Sequence, residues 1–202
     1  HFRNFYEMVN ADHYYIHVYR GGDYSMFYNT CFDLAIWEQN GAIAKTYRNY
    51  RPTGDEYHGN IGISYGERGD MLDVQIRQVN NFFTREGIAI VNLKRDNIFA
   101  YLGYLNSILA QFSINLYTGQ HKWPVYVNLL PMPDFDEKKS QIEKIVGSII
   151  HIKRKFFSYD ETNLEYHGLL AQLGIISSVE AAINSLQSNI TTDNERYLDL
   201  VC

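Results

Sequence analysis

The sequence predicts an α+β fold: a twisted, mostly antiparallel β region with a core helix, followed by a helical region. Three observations carry this. Short segments before residue 95 alternate apolar and polar residues with a period of two. The strongest helical pattern, Ile98, Phe99, Leu102, Leu105, Ile108, Leu109 and Phe112, recurs at three- and four-residue steps. After Pro131-Met132-Pro133 the strand signal stops and helical periodicity takes over. A length of 202 residues, 46% hydrophobic and 20% charged, suits one core with a small appendage and excludes a disordered chain.

Taken in order, Phe2 to Val9 reads as a short helix. Tyr14 to Tyr19 and Phe32 to Trp37 alternate as strands, separated by an Arg20-Gly21-Gly22-Asp23 turn. Gly41 to Tyr50 reads as a short helix that ends before Arg51-Pro52, because the residue preceding proline disfavours the helical region. Pro52 to Gly69 is glycine-rich and polar, the character of a binding loop. Leu72 to Arg77 reads as a strand with one apolar and one polar face. Ile88 to Leu93, apolar on both faces, reads as a central strand. Asp96 is placed as the N-cap of the core helix. Val125 to Leu130 reads as a last strand. Asp134 to Phe157 is a long amphipathic helix, and two more helical stretches cover Ile176 to Gln187 and Thr192 to Val201. The expected division is a β-rich unit, residues 1–133, and a helical unit, 134–202.

The formal net charge of −5 argues against a general nucleic-acid glove. The charge is uneven, however. Gly41 to Arg95 carries eight basic and six acidic residues, so a local anion-binding face is compatible with an acidic whole. Seventeen tyrosines supply flat apolar area with a polar tip, suited to a binding surface or to a tyrosine-rich β core. Two cysteines are too few for a disulfide framework or a zinc site, and fit a reducing cytoplasm. No apolar run approaches a membrane span. Beginning at His1 and stopping at Cys202, the chain reads as a segment of a larger protein.

Catalytic and cofactor motifs are missing. The sequence has neither a P-loop nor a G-x-G-x-x-G, and its four prolines form no Pro-Pro active-site loop. Pro133-Asp134 with Asp136-Glu137-Lys138 imitates a nuclease metal motif. Its acids crowd into six residues where a helix begins, and the macrodipole favours acids there. The histidines show no H-E-x-x-H spacing, and Ser64, Ser107 and Ser158 lack a nucleophile elbow. No catalytic residue, metal ligand or cofactor is therefore expected in the segment itself.

A series of motifs does carry a resemblance. Tyr19-Arg20-Gly21-Gly22-Asp23-Tyr24, Tyr28-Asn29 and Asp33-Leu34-Ala35-Ile36-Trp37 through Gly41 resemble a K-G-G-x-x-R-x-W-Y-G-N…V-x-N-W-x-x-x-G entry. Gly62-Ile63-Ser64-Tyr65 resembles a G-I-T-W strand. Arg85-Glu86-Gly87-Ile88-Ala89-Ile90 resembles a P-x-G-F-x-F strand. Tyr101-Leu102-Gly103-Tyr104-Leu105-Asn106-Ser107 resembles an L-L-G-L-L-N-S helix, Leu130 to Pro133 an I-P-I-P exit, and Phe157-Ser158-Tyr159-Asp160-Glu161-Thr162 with His167-Gly168-Leu169-Leu170 a D-S-F-E-T-S-W-D-F…H-P-L-L segment. In this order they resemble the target recognition domain of the large single-chain adenine DNA methyltransferases of type II restriction-modification and BREX phage-defence systems. Tyr65 replaces the family's tryptophan and Gly168 its proline.

The resemblance implies a bacterial segment that binds double-stranded DNA, while a separate domain of the same parent chain uses S-adenosylmethionine to methylate a flipped adenine. Base edges in the major groove distinguish sequence, and phosphates set orientation. On that reading Arg68, Gln75, Arg77 and Gln78 are the expected base readers, and Lys45, Arg48, Arg51 and Arg85 the phosphate contacts. The alternative is a protein–protein interaction module with no DNA contact, which the acidic total and the tyrosines also suit.

Overall fold

The computed structural model describes residues 2–4, 13–21, 25–50, 54–78, 80–91, 93–168 and 178–201, with backbone alone at 2–4 and Asp55. They form an α+β fold of two small sheets and a layer of helices. One sheet contains β1 (Phe2–Asn4), β2 (Tyr15–Tyr19), β3 (Asp33–Ile36) and β6 (Asn81–Phe83), in the order β1-β3-β2-β6. The other contains β4 (Gly62–Gly66), β5 (Gln75–Arg77) and β7 (Gly87–Ile90), in the order β5-β4-β7. Every ladder is antiparallel except β2 with β6. The helices are α1 (Glu38–Lys45), α2 (Ile98–Leu105), α3 (Ile108–Tyr117), α4 (Pro124–Val127), α5 (Lys139–Phe157) and α6 (Val179–Val201).

The core forms where β4 meets α2 and α5. Every residue of β4 is buried, and Ile63 and Tyr65 join Leu102 and Leu105 of α2, Ile114 of α3 and Val146 and Ile149 of α5 in one cluster. Fully burying each such side chain contributes about 1.5–3 kcal/mol. Helix α2 is apolar nearly all round, the mark of a buried helix. It approaches α5 so closely that a Cβ at Gly103 would lie 2.7 Å from an Ile142 methyl, so only glycine fits there without displacing α5. This packing crosses Pro133 without a break. The change in secondary-structure type at that proline does not divide the core.

Residues 72–74 extend without joining a sheet, because side-chain amides take the place of a neighbouring strand. The Leu72 N–H donates to Gln111 Oε1 at 2.7 Å and the Val74 N–H to Asn106 Oδ1 at 3.0 Å. Asn106 Nδ2 in turn donates to the Val74 carbonyl at 2.7 Å. Buried backbone groups require partners, and these two amides supply them. Only Gln75–Arg77 continues as strand.

The same amides explain why the core helix breaks. Asn106 closes α2, and Ser107 caps α3, its hydroxyl accepting from the Ala110 N–H at 3.3 Å. The turn redirects α3, so Ile108, Leu109 and Phe112, expected in the core, are 88%, 65% and 62% exposed. Other sequence readings are corrected as well. Residues 2–4 are strand rather than helix, and the rest of that expected helix lies outside the described residues. Val125 to Leu130 begins as the short helix α4, whose Pro124 has no N–H to offer a ladder but suits a first helical turn. Gly87–Ile90 is an edge strand, and the central strand is β4, from the supposed loop. Asn97, not Asp96, is the cap position of α2. The two C-terminal helical stretches are one helix, α6, tied to α5 by Lys155 Nζ and Asp193 Oδ2 at 2.6 Å.

Replacing Asn106 with Ala leaves the buried Val74 N–H without a partner, while the Val74 carbonyl keeps the Phe27 N–H at 2.8 Å. Its expected cost is about 1–3 kcal/mol in urea unfolding, whereas Ile108→Ala at an exposed position shifts stability by less than about 0.5 kcal/mol.

Candidate functional site

Strand register builds the floor of a cleft. Ile16 pairs with Ala35 and Val18 with Phe82, so these four side chains share one face of the first sheet. They line a cleft of about 500 Å³. Its walls are aromatic. Trp37 meets Phe82 edge-on with ring centroids 4.8 Å apart, and His58 stacks flat on Phe82 at 4.4 Å with the planes 4° apart.

Helix α1 borders this cleft, and a strained turn places it there. Gln39, Asn40 and Gly41 have φ values of 48°, 58° and 78°, a left-handed run that costs energy for residues other than glycine. Gly41 rests against the Trp37 ring, where an added Cβ would lie 2.7 Å from ring carbons. The turn thus anchors α1 on Trp37. At the helix end Lys45 Nζ stands 5.7 Å above the Trp37 ring centroid.

Arg20 and Arg85 line the cleft. Arg20 faces Asp33 at 3.6 Å, and Glu86 follows Arg85 at the rim. Arg85 is exposed and has no ion pair among the described residues. Arg68 lies at the same end of the second sheet, because the Glu67 N–H donates to the Glu86 carbonyl at 3.1 Å. Guanidinium forks and an ammonium around an apolar slot suit an anionic, planar ligand.

The structure separates the sequence candidates. Arg85 lines the cleft and Lys45 sits over its Trp37 ring, Arg48 is exposed next in sequence to the lining Asn49, Arg68 is exposed nearby, and Arg51 lies outside the described residues. Gln75 and Arg77 are corrected. Gln75 is buried and donates to the Tyr19 hydroxyl. Arg77 is buried too, stacks on Phe83 with its guanidinium carbon 5.2 Å from the ring centroid, and donates to the Asn81 carbonyl at 3.1 Å. Burial lowers its pKa to about 10, and its guanidinium fills the space that a Cβ at Gly62 would need. Neither side chain offers a polar atom to a base edge. Half-buried Gln78 is held by the Tyr28 hydroxyl at 2.9 Å. The strand with a supposed polar face is thus covered on both sides. Arg20, Trp37, His58 and Phe82 were not singled out from the sequence. The three-residue β6 is too short for a periodic signal, and long-range register alone brings these residues together.

Two other features frame the site. The Tyr28 hydroxyl hydrogen-bonds Glu165, which faces Arg154 at 3.4 Å, while Lys153 Nζ donates to Ser25 Oγ at 2.5 Å and the Met26 carbonyl at 2.6 Å. These bonds fasten the 25–28 segment to α5. His13 and His17, four residues apart, bond separate partners, Glu38 and the Cys31 carbonyl. A hollow of about 930 Å³ is a nearly apolar groove between α3 and α5 beside exposed Ile108 and Phe112.

No protein-family model and no curated protein sequence matches this chain. The geometry defines an α+β protein with a basic, aromatic cleft on one sheet. Among the described residues no helix is long and apolar enough to cross a membrane.

Lys153 gives stability a pH dependence. Burial lowers its pKa to about 8, with Asp73 opposing the shift, so the folded chain binds its proton less well than the unfolded one. Lys153 therefore raises stability as pH passes from 8 toward 9.5, an increase that the buried Cys31 thiol, its pKa pushed up by burial to about 12, reduces as the unfolded thiol ionises, before Tyr28 and Tyr197, whose pKa burial also raises, subtract further. The urea midpoint should increase over that window, and Lys153→Met should abolish the increase.

Proposed function

We propose that this chain is a DNA-recognition segment of an adenine-N6 methyltransferase or restriction-modification enzyme of the bacterial cytoplasm. It holds duplex DNA while another domain, using S-adenosylmethionine, methylates the target adenine. The observation that carries the DNA part of this reading is that Arg20 and Arg85 line one cleft and Lys45 sits over its Trp37 ring, with Arg68 at the same end of the second sheet. Side chains from separate parts of the sequence converge there, within a chain of net charge −5. Such a local cluster contacts phosphates although the whole protein is acidic. The motif series supplies the methyltransferase part. Arg68 is retained as the exposed candidate for a base edge, where arginine pairs with guanine, and Gln78 would need release from Tyr28 to contribute.

A second reading, a protein-docking module without DNA contact, is favoured by one observation. Helix α3 exposes Ile108, Leu109, Phe112 and Leu116 as an apolar stripe, while Ala110, Gln111 and Ile114 occupy its buried side.

Fluorescence anisotropy with a random-sequence duplex separates the two. DNA recognition expects affinity to fall steeply with salt, with a log–log slope of roughly −3 to −4 for three or four phosphate contacts. Arg48→Glu with Arg85→Glu should weaken binding at least about tenfold, the cost of reversing two phosphate contacts. Arg77→Met should leave it within about twofold and the fold as stable or more so, since a buried cation without a carboxylate is replaced by an apolar chain. Absence of duplex binding at low salt, with Phe112→Asp abolishing self-association or partner capture, would favour the docking module.

A further inference from the structure

We infer that the aromatic cleft between β2, β6 and α1 receives a single unstacked DNA base, with the adjoining phosphate held by Arg85. This rests on the DNA reading and names what that surface accepts beyond the duplex. A duplex alone leaves the cleft unexplained. Paired bases present only their edges in a groove, and phosphate contact needs no hollow. Yet the cleft lies against the sheet, floored by Ile16, Val18 and Ala35 and bordered by the rings of Trp37, Phe82 and His58, which pack on one another as one aromatic wall. Its volume of about 500 Å³ falls within the roughly 300–1,000 Å³ usual for pockets that enclose a small ligand.

The chemistry of walls and mouth matches one nucleotide unit. Flat aromatic walls take a π-face regardless of base identity, and each base–aromatic stack contributes about 1–3 kcal/mol. The mouth carries Arg85, exposed and without an ion pair among the described residues, one residue from the lining Thr84. Asn49 and Glu86 at the rim supply a donor and an acceptor for base edges. An apolar peptide would satisfy the walls but leave Arg85 unmatched, and a free phosphate would leave the aromatic walls unused. A base with its own phosphate uses both.

The chain has two tryptophans, so Trp123→Phe leaves Trp37, in the cleft wall, as the sole reporter. This variant is titrated with a fully paired duplex and with the same duplex carrying one bulged adenine. The bulged duplex should bind at least about fivefold tighter, the lower end of one stacking contribution, and should quench Trp37. Asn49→Phe, an exposed position whose ring would fill the cleft, should remove both the preference and the quench. Should that variant melt abnormally, Arg85→Ala, also exposed, should remove the preference instead. Equal binding of the two duplexes with unchanged Trp37 emission overturns the inference while the DNA reading stands. Failure of both duplexes to bind at low salt overturns both.

Discussion

The structure depends on the burial of β4 against α2 and α5. This strand has no exposed residue, so its backbone is satisfied only through its two neighbours, β5 and β7, and its side chains only through the helices. Everything that shapes the cleft hangs from this arrangement. Strand β7 brings the Arg85–Glu86 turn to the end of β2. Strand β5 is held from beneath by the amides of Asn106 and Gln111, through the segment that precedes it. The position of Arg85 is thereby set by packing more than 60 residues of chain, from β4 to α5, into one core.

The polar residues inside this core act as braces. Asn106 stands in for a missing strand, Lys153 fastens the 25–28 segment to α5, and Lys155 fastens α6 to α5 through Asp193. Arg77 has a different consequence. Its guanidinium lies over Phe83 and across Gly62, joining the second sheet to β6 without a carboxylate partner among the described residues. An arginine absorbed in this way has its charge spent inside the fold and is not offered to an external anion.

Much of the architecture was legible in the sequence. The period-two pattern located β2 and β3, and the isoleucine stripe of α5 gave its buried face, with Val146, Ile149, Ile150 and Ile152 inside. What misled was composition without context. The glycines from Gly54 to Gly69 suggested a loop, yet Gly62 and Gly66 are the ends of a buried strand, and at Gly62 the Arg77 guanidinium occupies the space a Cβ would need. Alternation over Leu72 to Arg77 suggested a solvated face, but alternation does not reveal that a second layer covers both sides. The site was half legible. The basic residues of Gly41 to Arg95 were counted correctly, while burial divided them, and the aromatic walls arise from register between distant strands, which no local pattern encodes.

On the proposed reading, the surface facing DNA is the cleft mouth and not the apolar stripe of α3. Hydrogen–deuterium exchange of the whole chain with and without a duplex at low salt tests this most directly. The account predicts slowed exchange at residues 44–50 and 82–87, with α3 unchanged. Protection confined to residues 108–117, with the cleft segments unaffected, would contradict it.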